Sequence, residues 1–113
     1  MSELEDQQMI RVSVMYPNAK GTTFDMTYYC QRHMPMVRQL LGGALKQLVV
    51  EEGIAGGGTG EPAPYVAVGQ LVLDSVQSFQ KIFDQHAQQI MGDIPNYTNS
   101  QPIIQISEIK LEL

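Results

Sequence analysis

The stretch Tyr65-Val66-Ala67-Val68-Gly69-Gln70-Leu71-Val72-Leu73 is apolar on both of its alternating sides. Tyr65, Ala67, Leu71 and Leu73 fall on one side and Val66, Val68 and Val72 on the other, the pattern of a strand covered on two faces. Immediately upstream, five glycines in the eight positions 53–60 supply a flexible connection. No Lys-Ser/Thr pair follows them and no strand-turn-helix context surrounds them, so the run reads as a hairpin loop and not as a phosphate cradle. Leu45–Glu52, carrying Leu45, Leu48, Val49 and Val50, is then the other strand of that hairpin.

Further out, Ile10, Val12, Val14 and Tyr16 alternate with Met9, Arg11, Ser13 and Met15, which predicts a first strand ended by Pro17-Asn18. Thr22 or Thr23 can cap the helix that follows, and Asp25 suits its positive first turn or its cap. Met26, Tyr29, Cys30, His33, Val37 and Leu40 give this helix an inner stripe, and Gly42-Gly43 stops it. Pro35 cannot donate to the carbonyl of Gln31, so a kink or local unwinding is expected around His33 to Pro35. A second helix opens on an Asp74–Gln77 capping box, repeats Val76, Phe79, Ile82, Phe83, Ala87 and Ile90, and closes at Gly92. After a loop from Asp93 to Ser100, Ile103, Ile104, Ile106, Ile109 and Leu111 form a last strand.

Strand, helix, strand, strand, helix, strand is the order of a ferredoxin-like α+β sandwich: a four-stranded antiparallel sheet with both helices on one face. The expected organisation is a flexible tail at residues 1–8 and one domain at residues 9–113. The opposite sheet face is uncovered, and the first, third and fourth strands place aliphatic side chains on both faces, so a homodimer packed sheet to sheet is expected.

Of the 113 residues 43% are apolar and 17% charged, with twelve acidic against seven basic side chains and a net charge of −5. Nucleic acid and anionic lipid surfaces are therefore excluded as partners, since no Lys/Arg cluster offsets the repulsion. The acidic start, the lack of an apolar run of about 20 residues and the single cysteine point to a cytoplasmic protein without a membrane segment. The sequon Asn96-Tyr97-Thr98 is accordingly set aside.

Chemistry is expected between the helices and the sheet, where Tyr29, His33 and Val37 follow one another at four-residue spacing. An imidazole, with an ordinary pKa near 6.5, is suited to moving protons at neutral pH. The bland reading is that His33 bonds a carbonyl freed by Pro35 and simply packs. His86 borders the second helix's apolar stripe, where the last turn favours an imidazole electrostatically whatever its function. Cys30 reads as a small buried core residue, and Cys30 with His33 cannot by themselves close a tetrahedral zinc site, so no metal and no bound cofactor are expected. Asp93 either orients an imidazole or holds its own turn, and Tyr28 stands at the pocket margin.

The string Phe24-Asp25-x-x-Tyr28-Tyr29-x-x-x-His33-Met34-Pro35-x-Val37 resembles the signature of the EthD family. The block from Ile90-Met91-Gly92-Asp93-Ile94-Pro95-Asn96-Tyr97-Thr98 to Pro102-Ile103-Ile104-Gln105-Ile106 resembles its second half. The resemblance implies a dimeric α/β barrel and a place in small-molecule catabolism, because EthD-like proteins accompany a cytochrome monooxygenase system in ethyl tert-butyl ether degradation and are often labelled oxidoreductases. It implies pocket roles for Tyr29 and His33, with Asp25, Tyr28 and Asp93 as further substrate-binding candidates beside Val37. Three functions follow in order: proton transfer by His33 with Tyr29 bonding a substrate oxygen, a non-catalytic metabolite-binding accessory to a pathway monooxygenase, and haem-dependent oxygen chemistry. The assembly expectation is checked by sedimentation at micromolar concentration, where a dimer supports it and a monomer refutes it.

Overall fold

Strand β1, Ile10–Pro17, takes the period-two segment and carries Pro17 as its last residue beyond a register irregularity at Tyr16/Pro17. The computed structural model describes residues 9–113, so the tail expected at residues 1–8 lies outside the described residues. Helix α1 is built of three pieces, an α-turn Met26–Tyr28, a π-helical stretch Tyr29–His33 and an α-helix Met34–Leu41. Strands β2, Leu45–Glu52, and β3, Tyr65–Leu73, form the hairpin, followed by helix α2, Val76–Gly92, and strand β4, Ile103–Glu108. The sheet order is β2-β3-β1-β4 with every pairing antiparallel, the ferredoxin-like α+β arrangement.

The register shows how the core is assembled. Ile10 pairs with Leu73, Val12 with Leu71 and Tyr16 with Ala67, and all six side chains are buried in one core cluster with Val37 and Leu41 of α1 and Phe79 and Ile90 of α2.

Several local expectations are corrected. The α1 cap is Asp25, whose Oδ1 accepts from the Tyr28 amide at 3.0 Å, while Thr22 Oγ1 instead accepts from the Ala19 amide. The α2 cap is Ser75, which accepts from the Ser78 amide, in place of the Asp74–Gln77 box. Strand β4 ends at Glu108, leaving Leu111 outside it and exposed. Cys30 is exposed and not part of the core. The reason is the π-stretch: Met34 donates its amide to the Tyr29 carbonyl five residues back, and the added residue per turn carries the inner stripe from Tyr29 and His33 to Met34, Val37 and Leu41, turning Cys30 outward.

The open sheet face also differs from expectation. Arg11, Ser13 and Met15 of β1 stand opposite Val72, Gln70 and Val68 of β3 and Ser107, Gln105 and Ile103 of β4, so a polar row crosses the middle of the face and β4 adds a single aliphatic side chain to it. The other isoleucines of β4, Ile104 and Ile106, lie on the helix side of this edge strand and stay partly exposed. Leu73, at 0% exposure, lies in the best-packed part of the sheet, and Leu73→Ala is expected to lower unfolding free energy by about 2–5 kcal/mol in urea denaturation.

Candidate functional site

The segment after α2 is sewn to the start of α1, and this seam builds the site. Asp25 donates its amide to the Tyr97 carbonyl at 2.7 Å, Thr98 Oγ1 donates to the Thr23 carbonyl at 2.6 Å, and Phe24 and Thr98 form an isolated antiparallel bridge. A short 3₁₀ turn, Ile94–Asn96, brings Asp93 over the π-stretch of α1. There Asp93 Oδ2 lies 2.9 Å from His33 Nδ1. The other carboxylate oxygen accepts from the Tyr28 hydroxyl at 2.7 Å and from Asn96 Nδ2 at 2.9 Å.

Three donors therefore converge on one carboxylate. Burial raises the Asp93 pKa, but the hydrogen bonds from Tyr28, Asn96 and His33 outweigh it and hold the group below its ordinary value. An ionised carboxylate can only accept, so the ring proton of neutral His33 is assigned to Nδ1. Burial pushes the imidazole below its ordinary pKa despite the opposing hydrogen bond and charge of Asp93. At neutral pH His33 is a neutral base with its lone pair on Nε2.

With Nδ1 held by Asp93, Nε2 is the ring nitrogen left free, and His33 lines a small cavity of about 50 Å³ between the helices and the sheet. Its walls include Tyr29, His33 and Val37 of α1, Phe79 and Phe83 of α2, and Val14 and Ile104 of the sheet. Met91 and Ile104, 39% and 40% exposed, belong both to the wall and to the surface and so mark the rim. Among the described residues no Lys, Arg, Asp or Glu lines this space, and no group of three or more His, Cys, Asp or Glu is placed to hold a metal ion.

The aromatic surroundings fix the imidazole. The Tyr29 ring stacks on His33 with centroids 5.6 Å apart and planes 15° from parallel, and the Tyr97 ring lies 4.7 Å away. The hydroxyls of Tyr16 and Tyr97 share a hydrogen bond of 2.6 Å. Burial first, then the proximity of Tyr16, raises the phenol pKa values of Tyr29 and Tyr97 far above the ordinary range, so both stay protonated.

Of the sequence candidates, His33, Tyr29 and Val37 meet at the cavity, while Asp93 and Tyr28 stand behind the imidazole and orient it. Asp25 is an exposed helix cap outside the cavity lining, and His86 and Cys30 are outside it as well. Sequence reasoning did not single out Asn96 or Tyr97 as site residues. Their signal was contiguity with Asp93 in the second quoted block, but nothing in a loop sequence shows which helix it will cross.

Unfolding returns His33 to an ordinary pKa near 6.5, so below that pH the unfolded chain binds the proton first. The contribution of buried neutral His33 is complete above about pH 6.5 and is lost as the pH falls toward its lower native value. Melting temperatures recorded across that window should decline with acidification, and His33→Gln should flatten the decline. Asp93→Asn removes a charge that raises the imidazole pKa, and NMR titration should place His33 lower still.

The sequence profile of the EthD domain matches residues 22–101. A comparison with curated proteins returned no match. Among solved structures, the chain is similar to an EthD-like protein from Ralstonia eutropha at 46% identity, with 95% of this chain and 96% of that one covered and a TM-score of 0.89. An ethyl tert-butyl ether degradation family protein from Bacillus halodurans shares the fold at 18% identity, with 90% and 99% covered and a TM-score of 0.68. A DABB family protein with a ferredoxin-like fold from Mesorhizobium loti does so at 12% identity, with 94% and 100% covered and a TM-score of 0.58. With its profile match spanning both the helix that carries His33 and the loop that carries Asp93, the chain belongs to the EthD family.

Proposed function

We propose that the protein carries out acid–base chemistry on a small, neutral, mostly apolar molecule bearing one or two oxygens, with His33 Nε2 as the proton acceptor. The observation that carries this reading is the Asp93–His33 pair at 2.9 Å, with His33 among the residues that line an apolar cavity. Asp93 sets the tautomer and stabilises the imidazolium that forms when Nε2 takes a proton, and it does so from outside the cavity. A carboxylate or phosphate on the substrate would lose its hydration with no lining cation to compensate, so a neutral ligand is favoured. Tyr29 holds the imidazole by stacking, while donation to a substrate oxygen is the further part proposed for it. The Bacillus halodurans relative is named for degradation of an ether, which is in keeping with a small apolar oxygenated substrate in catabolism.

The reading as a non-catalytic binding accessory of a monooxygenase pathway uses the same cavity and predicts saturable binding with no product. A homodimer through the open sheet face is also part of the proposal. Val49 and Ile103 are exposed, and the buried Nε of Arg11 on that face has no partner among the described residues.

The test is proton exchange in deuterated buffer, followed by NMR, over a panel of small neutral ketones, lactones and phenols. The wild-type protein should accelerate exchange at an acidic position of a bound member, and His33→Gln should reduce that rate by about 10²–10⁴-fold without unfolding. The rate should rise with pH through the lowered His33 pKa and then level. Binding without exchange supports the accessory reading, and an unchanged rate in His33→Gln removes the proton-transfer role.

A further inference from the structure

We infer that Gly69 is a positioning residue for His33: the side chain missing at this point of β3 is the space into which Tyr29 reaches, and that reach seats the ring against which the imidazole is aligned. The inference rests on the reading of His33 as the proton-transfer group.

A glycine in a central strand weakens it, since it adds backbone entropy to the unfolded chain and packs nothing. Two common reasons for accepting that cost do not apply. The glycines with positive φ are Gly21, Gly42 and Gly60, so Gly69 has ordinary strand geometry. The ladder is regular through Val14–Gly69 and Val50–Gly69, and the register irregularities lie elsewhere, so no bulge needs it. Close approach by another group is what remains.

A Cβ built on Gly69 would overlap the Tyr29 hydroxyl oxygen and come within 2.7 Å of Met34 Cε. The end of the Met34 side chain can swing aside. The Tyr29 side chain has no such free swing, because its ring is packed by Phe24 at 5.0 Å, Tyr97 at 5.0 Å and Tyr16 at 5.6 Å, and it can yield only by shifting as a whole. Clearing a methyl therefore displaces the ring, and the ring is stacked on His33 at 15°. The imidazole would then be torn between the displaced stack and its hydrogen bond to Asp93. One absent side chain on the sheet thus sets how the base presents Nε2 to the cavity.

The experiment is NMR of the whole chain as wild type, Gly69→Ala, Tyr29→Phe and the double variant. It reads the His33 ring titration and its Nδ1–H resonance, with His86, outside the cavity lining, as internal reference. Tyr29→Phe keeps the ring and should leave both signals near wild type. Gly69→Ala should lose the Nδ1–H resonance and move the His33 midpoint by about half a pH unit or more. The double variant, in which the hydroxyl that meets the methyl is gone, should recover both. The inference is overturned if Gly69→Ala leaves both signals in place, or if the double variant fails to recover them. Should Gly69→Ala alone fail to fold, the double variant decides: folding with both signals restored supports the inference, and failure to fold overturns it. None of these readouts involves turnover, so full activity in His33→Gln would sink the functional reading while leaving the role of Gly69 standing.

Discussion

Pro35 has no amide hydrogen, and the arrangement of the site follows from that constraint. An α-helix running through it would leave the Gln31 carbonyl unpaired and crowded by the ring. The chain instead widens into the π-stretch Tyr29–His33, with Met34 bonding back to Tyr29. A wider turn places Tyr29, His33 and Met34 together on the inner face, where a regular α-helix would have rotated one of them outward. The residue that rotates out is Cys30, which is why the one thiol of the chain lies on the surface and takes no part in the cavity.

Charge is kept out of the cavity and close behind it. Asp93 remains ionised because three donors satisfy it, and it touches only the far edge of the imidazole. His33 remains neutral because it is 3% exposed among aromatic rings. A neutral base backed by an anion stabilises its own protonated form at the moment it is made, which is useful for taking a proton from a neutral molecule and of no use for gripping an anionic one. The cavity wall is apolar, so on the proposed reading a ligand is recognised by shape and by one imidazole nitrogen.

The two faces of the sheet divide the labour. The helix side carries the core and the cavity wall, with Val12, Leu71 and Leu73 tightly buried. The open side mixes Val68, Val72, Met15 and Ile103 with Ser13, Gln70 and Gln105, and the Ser13 hydroxyl donates to Gln70 Oε1 at 2.7 Å across the central strands. A surface of this composition suits polar complementarity as much as apolar burial.

The sequence by itself determined the element order, the bounds of β2 and β3, the disturbance at Pro35 and the candidacy of Tyr29 and His33, because alternation, helical spacing and a proline's missing amide are local properties. It also put Asp93 forward as a group that could orient an imidazole, without showing which one. The helix caps lie one to three residues from the positions that the sequence suggests, since adjacent Thr, Ser and Asp compete for the same amides and packing chooses among them. Only the tertiary structure decided that Asp93, sixty residues from His33, is its partner. The same holds for Asn96 and Tyr97 in the site and for the empty position at Gly69 beneath Tyr29. Those relations depend on a loop crossing a helix and a helix crossing a sheet, and neither crossing leaves a periodic trace in the chain.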